Sequence, residues 1–293
     1  MSVAKPRART AIVNVVADPA IDLPRPIGFV LGGGGSLGAV QVGMLKALLE
    51  RGVTPDLVVG TSIGAFNGAV LAADPSRAIG KLERFWHSSR RVDAFPLRGI
   101  KPFLHWRRTR QSFFPNDGLV RSIQSVLGGF DDIEDLLLPY GAVAIDIHLG
   151  TPVLFRNGPV ESALLASAAI PGLFPPVPRD GRWFYDGGLG NNVPMRDAMR
   201  MGAQSLVVLD TTSPTAELEP PQGLLELFSY VTEVYARQMV LRDLDELAHV
   251  PILYPPSPAP GTMSPLDLDH TIELLDQSYA DTKAYLDLKI AVS

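Results

Sequence analysis

Val58-Val59-Gly60-Thr61-Ser62-Ile63-Gly64-Ala65 decides the fold. Two apolar β-branched residues lead into a serine with a glycine two positions away on each side, and small helix-forming residues follow. This reads as a buried strand, a sharp turn and a helix over Ile63 to Ala73. Gly60 and Gly64 carry no side chain where strand and helix nearly touch. Such a turn thrusts Ser62 out of the backbone, as a nucleophilic serine requires. Gly-x-Ser-x-Gly also arises in ordinary glycine-rich turns. A catalytic reading therefore needs a base and oxyanion donors elsewhere in the chain.

Upstream, Ile27-Gly28-Phe29-Val30-Leu31 is a wholly apolar strand, Gly32 to Gly35 a loop, and Leu37 to Arg51 a helix with Val40, Met44, Ala47 and Leu48 on its inner face. Strand, helix, strand, helix with continuous apolar strands predicts an α/β fold, its mainly parallel sheet covered on both faces. Further helices are expected over Pro75–Ser89, Asp117–Leu127, Val160–Ala168, Val193–Met201, Gly223–Ala248 and Leu266–Leu288. Strands are expected over Tyr140–Leu149, Pro152–Phe155, Arg182–Tyr185, Ser205–Leu209 and Pro251–Tyr254, with a linker over Pro214–Gln222. The organisation that follows is a loose arm over 1–25 and one domain over 26–293. Within it, about 90–115 forms a cap or membrane-facing insertion, and 223–293 supplies C-terminal helices.

The 293 residues are 46% apolar and 19% charged, below the usual ~25% charged. A net charge of −5 gives no reason to expect nucleic acid. The absence of cysteine excludes disulfides and thiol nucleophiles. No metal-ligand cluster is visible, and neither a metal nor a cofactor is expected. The sequence has no run long enough to span a bilayer and no secretory h-region, so a cytoplasmic protein with peripheral membrane contact is the expectation.

Gly32-Gly33-Gly34-Gly35-Ser36-Leu37-Gly38 suits oxyanion donors, because successive glycines let backbone N–H groups converge near a helix start. The competing reading is a dinucleotide loop, Gly33, Gly35 and Gly38 fitting Gly-x-Gly-x-x-Gly after a strand. That reading expects an acidic residue at the end of the second strand. Asp56 instead precedes its strand, which ends in the serine turn. For the base, His87, His105, His148, His249 and His270 sit in no strong local motif. Asp186, in Tyr185-Asp186-Gly187-Gly188-Leu189-Gly190-Asn191-Asn192, lies just past a strand, where α/β folds gather their sites. Its plain alternative is an Asx-turn carboxylate. Asp146 and His148 read as strand-end structural residues, and Asn191 and Asn192 as shapers of the turn.

The glycine loop at 32–38, Gly60-Thr61-Ser62-Ile63-Gly64, Asp186-Gly187-Gly188 and Ala166-Ser167-Ala168-Ala169-Ile170-Pro171-Gly172-Leu173-Phe174-Pro175-Pro176, in their order, resemble the patatin-like phospholipase family, in its bacterial type. The resemblance runs from about Ile27 to Leu209. It implies a three-layer α/β/α sandwich and a serine–aspartate dyad without histidine. Ser62 is then the nucleophile and Asp186 the general base and acid. Gly33, Gly34, Gly35 and Ser36 bind the oxyanion, with Gly38, Gly60, Gly64, Gly187 and Gly188 supporting the motifs. The implied activity is lipid acyl hydrolysis of the phospholipase A or lysophospholipase kind, through an acyl-enzyme, on a phospholipid, lysophospholipid or acylglycerol ester. Leu37 departs from the arginine or lysine that the family often carries there.

Two other readings stay open. A Ser-His-Asp esterase would draw on His249 or His270. A lipid-binding protein of weak activity would rest on 77–121, which holds eleven basic residues against three acidic ones. Phe95, Phe103, Trp106, Phe113 and Phe114 interleave with them, a pattern suited to anionic lipid.

Overall fold

In the computed structural model, the described residues are 21–88, 105–108, 110–214, 218, 220, 221, 223–258 and 269–291. Residues 1–20, most of the 90–115 insertion and much of the 214–222 linker lie outside them. The last residues assigned to the N-terminal arm belong to the body of the protein. Leu23 is buried in the core, Pro24 O accepts from Ser205 Oγ at 2.6 Å, and Arg25 pairs with Asp56 at 2.8 Å.

The strands are β1 (Ile27–Leu31), β2 (Leu57–Thr61), β3 (Tyr140–Asp146), β4 (Thr151–Phe155), β5 (Val177–Arg179), β6 (Arg182–Asp186), β7 (Ser205–Leu209) and β8 (Ile252–Leu253). The helices are α1 (Gly38–Glu50), α2 (Ile63–Ala73), α3 (Ala78–Ser88), α4 (Asp117–Leu127), α5 (Val160–Ser167), α6 (Met195–Arg200), α7 (Leu224–Glu246) and α8 (Thr271–Ala291). One mixed sheet runs β5-β6-β3-β2-β1-β7-β8, with β4 on β3. Five strands, β8-β7-β1-β2-β3, pair in parallel. β4, β5 and β6 add antiparallel pairs at one side.

Strand alternation splits the core into two apolar layers. Phe29, Leu31, Val58, Val207 and Leu209 face α1, α2 and their neighbours. Val30, Val59, Leu206 and Val208 face α6 and α7. This is the expected α/β/α sandwich. The inner-face reading of α1 is too narrow: Gly38 to Leu45 are all buried, as are Ala47 and Leu48. The cause is α8, which lies along the outer side of α1, with Ser278 Oγ donating to Val40 O at 2.8 Å. A helix apolar on all sides is a helix covered on all sides.

The register along β3 brings distant segments together. β4 pairs with Ala142–Asp146 along one edge. β2 pairs with Tyr140–Val143 and β6 with Ala144–Asp146. Two strands cannot hold the same residues from the same side, so β2 and β6 share the opposite edge, end to end. β2 finishes at Thr61 opposite Val143, and β6 finishes at Asp186 opposite Ala144. Ser62 and Asp186, 124 positions apart in the chain, thus come from two strand ends that abut on one strand.

Candidate active site

The turn at Ser62 is a sharp elbow. Ser62 has φ 54° and ψ −123°, a left-handed conformation that costs a residue with a side chain about 1–3 kcal/mol. The two glycines allow it. A Cβ on Gly60 would fall 2.4 Å from Gly64 O, and one on Gly64 would fall 2.2 Å from Leu31 O. Helix α2 therefore rises directly against β1 and β2. Ser62 N–H donates to Ser167 Oγ at 2.8 Å, and Ser167 Oγ donates to Val143 O at 2.6 Å. Ser167 pins the elbow to β3. It stood in the fourth sequence motif without a role, and only the tertiary fold supplies one.

Ser62 Oγ donates to Asp186 Oδ2 at 2.6 Å. Asp186 Oδ1 accepts Gly188 N–H at 2.8 Å, at the start of the 3-10 turn Gly187–Leu189. The two sequence readings of Asp186 therefore use different oxygens of one carboxylate. Asp186 N–H is held by Ala169 O at 2.9 Å. Burial pushes the Asp186 carboxyl up to about 6, against the opposing pull of the Ser62 and Gly188 hydrogen bonds. A carboxylate raised this far is a stronger base than an exposed one, within reach of the hydroxyl it would deprotonate.

The glycine loop lies against the serine: a Cβ on Gly33 would fall 3.3 Å from Ser62 Cβ. A fully buried polar chain fixes the loop. Gln41 Nε2 donates to Gly32 O at 2.7 Å and to Leu209 O at 3.0 Å. Asn67 Nδ2 donates to Gln41 Oε1 at 2.9 Å and to Gly38 O at 2.9 Å. Trp86 Nε1 donates to Asn67 Oδ1 at 3.3 Å. Among the four residues expected to bind an oxyanion, Gly33 is already engaged, its N–H donating to Asn192 O at 3.1 Å. The loop after β6 is stitched to the loop after β1, and that takes up this donor. Gly34 and Gly35 N–H meet no acceptor among the described residues. Ser36 is buried in the 3-10 turn Gly35–Leu37. Leu37 is buried in the apolar core, packed where a cation would find no solvent.

The remaining candidates fall outside the site. Asp146 Oδ1 accepts His148 N–H at 2.8 Å and Leu149 N–H at 3.2 Å, and Asp146 also pairs with Arg182, a strand-end role. Asn191 O accepts Thr61 Oγ1 at 2.8 Å. His87, His148, His249 and His270 are exposed, and Ser62 is bonded to Asp186 directly, with no histidine between them. Unanticipated from sequence is Asp210, buried at the end of β7. It accepts Tyr254 Oη at 2.6 Å, and burial raises its carboxyl to about 6. No group of metal-ligating side chains occurs among the described residues. No described helix is long and apolar enough to cross a membrane.

The profile of the family described as patatin-like phospholipase matches residues 29–199. The chain is 38% identical over 192 residues to patatin-like phospholipase domain-containing protein 6 of Mus musculus, covering 64% of this chain and 14% of that protein. It is 33% identical over 201 residues to lysophospholipase nte1 of Aspergillus terreus, covering 68% of this chain and 12% of that protein. It thus spans only a small part of the length of these relatives. Among solved structures, VipD from Legionella pneumophila has a similar fold, with a TM-score of 0.50 at 14% identity over 94% of this chain and 70% of that one. The profile match covers more than half of the chain and contains both the Ser62 elbow and Asp186: the chain belongs to the patatin-like phospholipase family.

Proposed function

We propose that this chain is a serine acyl hydrolase of lipid esters, a phospholipase A or lysophospholipase working through a Ser62–Asp186 dyad. The observation that carries the reading is the 2.6 Å hydrogen bond between the Ser62 hydroxyl and a buried carboxylate raised to about 6, beside a glycine loop whose Gly34 and Gly35 amides meet no acceptor among the described residues. Ser62 Oγ attacks the ester carbonyl carbon as its proton passes to Asp186 Oδ2. The carbonyl oxygen gains the negative charge and is held by Gly34 and Gly35 N–H. Collapse breaks the bond to the alcohol, which takes the proton from Asp186 and leaves an acyl-Ser62. Water then attacks the acyl carbon, gives its proton to Asp186, and the released serine oxygen recovers it. Each unengaged donor contributes about 2.7–4 kcal/mol of barrier lowering.

Labelling with a fluorophosphonate tests this. Wild type should label, while Ser62→Ala should not, and Asp186→Asn should label far more slowly. Labelling that persists in Ser62→Ala would sink the mechanism. A protein that binds lipid and never labels would favour the lipid-binding alternative.

Peripheral contact with anionic lipid through the basic-aromatic segment belongs to the same reading. Trp106 and Phe113 are exposed and stack with ring centroids 6.2 Å apart, and Arg107 and Arg108 beside them are exposed. Phe113 N–H donates to Gly172 O at 2.9 Å, which ties this surface to the segment that follows Ser167 and Ala169. Aromatic side chains beside cations suit the bilayer interface. Neutralising Arg107, Arg108 and Arg110 together should weaken binding to phosphatidylserine vesicles. Unchanged binding would remove the membrane contact and leave the hydrolase reading intact.

A further inference from the structure

Two consecutive peptide units of the glycine loop are held differently. The Gly32–Gly33 unit is tied at both ends, its carbonyl by Gln41 at 2.7 Å and its N–H by Asn192 O at 3.1 Å. The Gly33–Gly34 unit is tied at its carbonyl alone. Thr211 Oγ1 donates to Gly33 O at 2.6 Å, and Gly34 N–H meets no acceptor among the described residues. A trans peptide is planar, with C=O and N–H pointing in opposite directions. A hydrogen bond that holds Gly33 O on Thr211 therefore also fixes where Gly34 N–H points, away from Thr211.

Thr211 is built into this place. It is fully buried, and a Cβ on Gly34 would fall 2.1 Å from its Oγ1 and 2.8 Å from its Cβ. The hydroxyl can approach the loop because residue 34 has no side chain. Thr211 is itself fixed from the β8 side, where Ser257 Oγ donates to Thr211 O at 2.9 Å. Its neighbour Asp210 is held by Tyr254 at 2.6 Å. The clamp thus runs from the β7–β8 side of the sheet to the loop after β1.

We propose that Thr211 is a positioning residue, whose hydroxyl sets the direction of the oxyanion donor Gly34 N–H. It touches neither substrate nor Ser62 and acts through the Gly33–Gly34 peptide. This inference rests on the hydrolase reading above for its catalytic part, while the clamp itself stands on geometry alone.

Thr211→Val keeps the shape and removes the donor, leaving Gly33 O unpaired in a buried place. On p-nitrophenyl butyrate, kcat should fall about 10- to 100-fold, short of the ~10²–10³-fold loss of a whole oxyanion donor. KM should stay within about twofold, because the donor acts on charge that develops in the transition state. Fluorophosphonate labelling should slow in parallel. Thr211→Ser retains the hydroxyl and should recover most of the rate, with the acid limb of the pH profile unmoved in both variants. Selective ¹⁵N-glycine labelling gives a readout independent of activity: the Gly34 amide resonance should shift in Thr211→Val and stay near its wild-type position in Thr211→Ser. An unshifted Gly34 amide in Thr211→Val, or equal loss of rate in the two variants, overturns the proposal. Failure of wild type to label at Ser62 removes the catalytic part alone, and the glycine resonances then still decide the clamp.

Discussion

Replacing Asp186 by Asn should stabilise the folded protein while severely slowing its reaction with a fluorophosphonate, and the stability gain should depend on pH in a defined way. Asparagine preserves both local hydrogen bonds, its oxygen taking Gly188 N–H and its amide group facing Ser62 Oγ. What it removes is the charge. Burial raises the Asp186 carboxyl from 3.8 to about 6, so the folded protein holds this proton more tightly than the unfolded chain does. Stability from this group is therefore complete below 3.8 and is lost as pH rises through about 6. The span corresponds to about 3 kcal/mol of destabilisation once the carboxyl is ionised. Asp210 titrates in the same range, so wild-type stability alone mixes two groups. The difference between Asp186→Asn and wild type cancels Asp210 and isolates the dyad. Urea denaturation at a series of pH values should show this difference widening by about half of the full amount between about pH 5 and pH 8. The acid limb of wild-type kcat/KM should have its midpoint near 6, because the proposed mechanism uses the ionised carboxylate as its base. A stability difference that stays flat over this range, or an acid limb near 4, would refute the desolvation argument for Asp186.

Three further outcomes follow from the elbow. Ser62→Gly should be more stable than Ser62→Ala by about 1–2 kcal/mol in chemical denaturation, because both lose the hydroxyl and glycine alone relieves the positive φ. Ser167→Ala strips the acceptor from Ser62 N–H and the donor from Val143 O. The buried groups left unpaired should cost about 2 kcal/mol or more in urea denaturation, with slowed fluorophosphonate labelling. Gly64→Ala forces a methyl against Leu31 O and Gly32 O. It should lower stability by about 3 kcal/mol or abolish soluble expression, as backbone atoms cannot rotate out of the way.

The elements nearest the elbow were readable because their signals are local. Helix α2 runs over Ile63–Ala73, α4 over Asp117–Leu127 and β7 over Ser205–Leu209, as patterning and glycine punctuation indicated. The Pro75–Ser89 helix begins later, at Ala78, after Asp74 accepts Arg77 N–H at 3.2 Å. The strand expected over Tyr140–Leu149 stops at Asp146, whose side chain turns the backbone at His148 and Leu149. β5 passed unseen, because three residues with a central proline make no alternation. The partners that organise the site had no local signal either. Asn192 looked like a turn residue and serves through its carbonyl, which any residue could offer. Thr211, Ser167 and Gln41 act across 178, 105 and 168 positions of chain respectively. Spacing in the sequence carries no trace of such bonds, while the motif glycines announce the backbone approaches that make them.

The covering of α1 by α8 bears on when this protein becomes whole. Val40 and Ser278 meet across 238 positions, and Gly43 is so near α8 that a Cβ there would fall 2.2 Å from Leu275 O. During synthesis the serine elbow and its flanking strands emerge well before α8. The helix behind the glycine loop keeps a bare apolar flank until residues 271–291 have left the ribosome. Contacts this far apart in sequence form late and slowly. A nascent chain therefore carries Ser62 long before the wall behind its glycine loop, and that wall arrives only with α8.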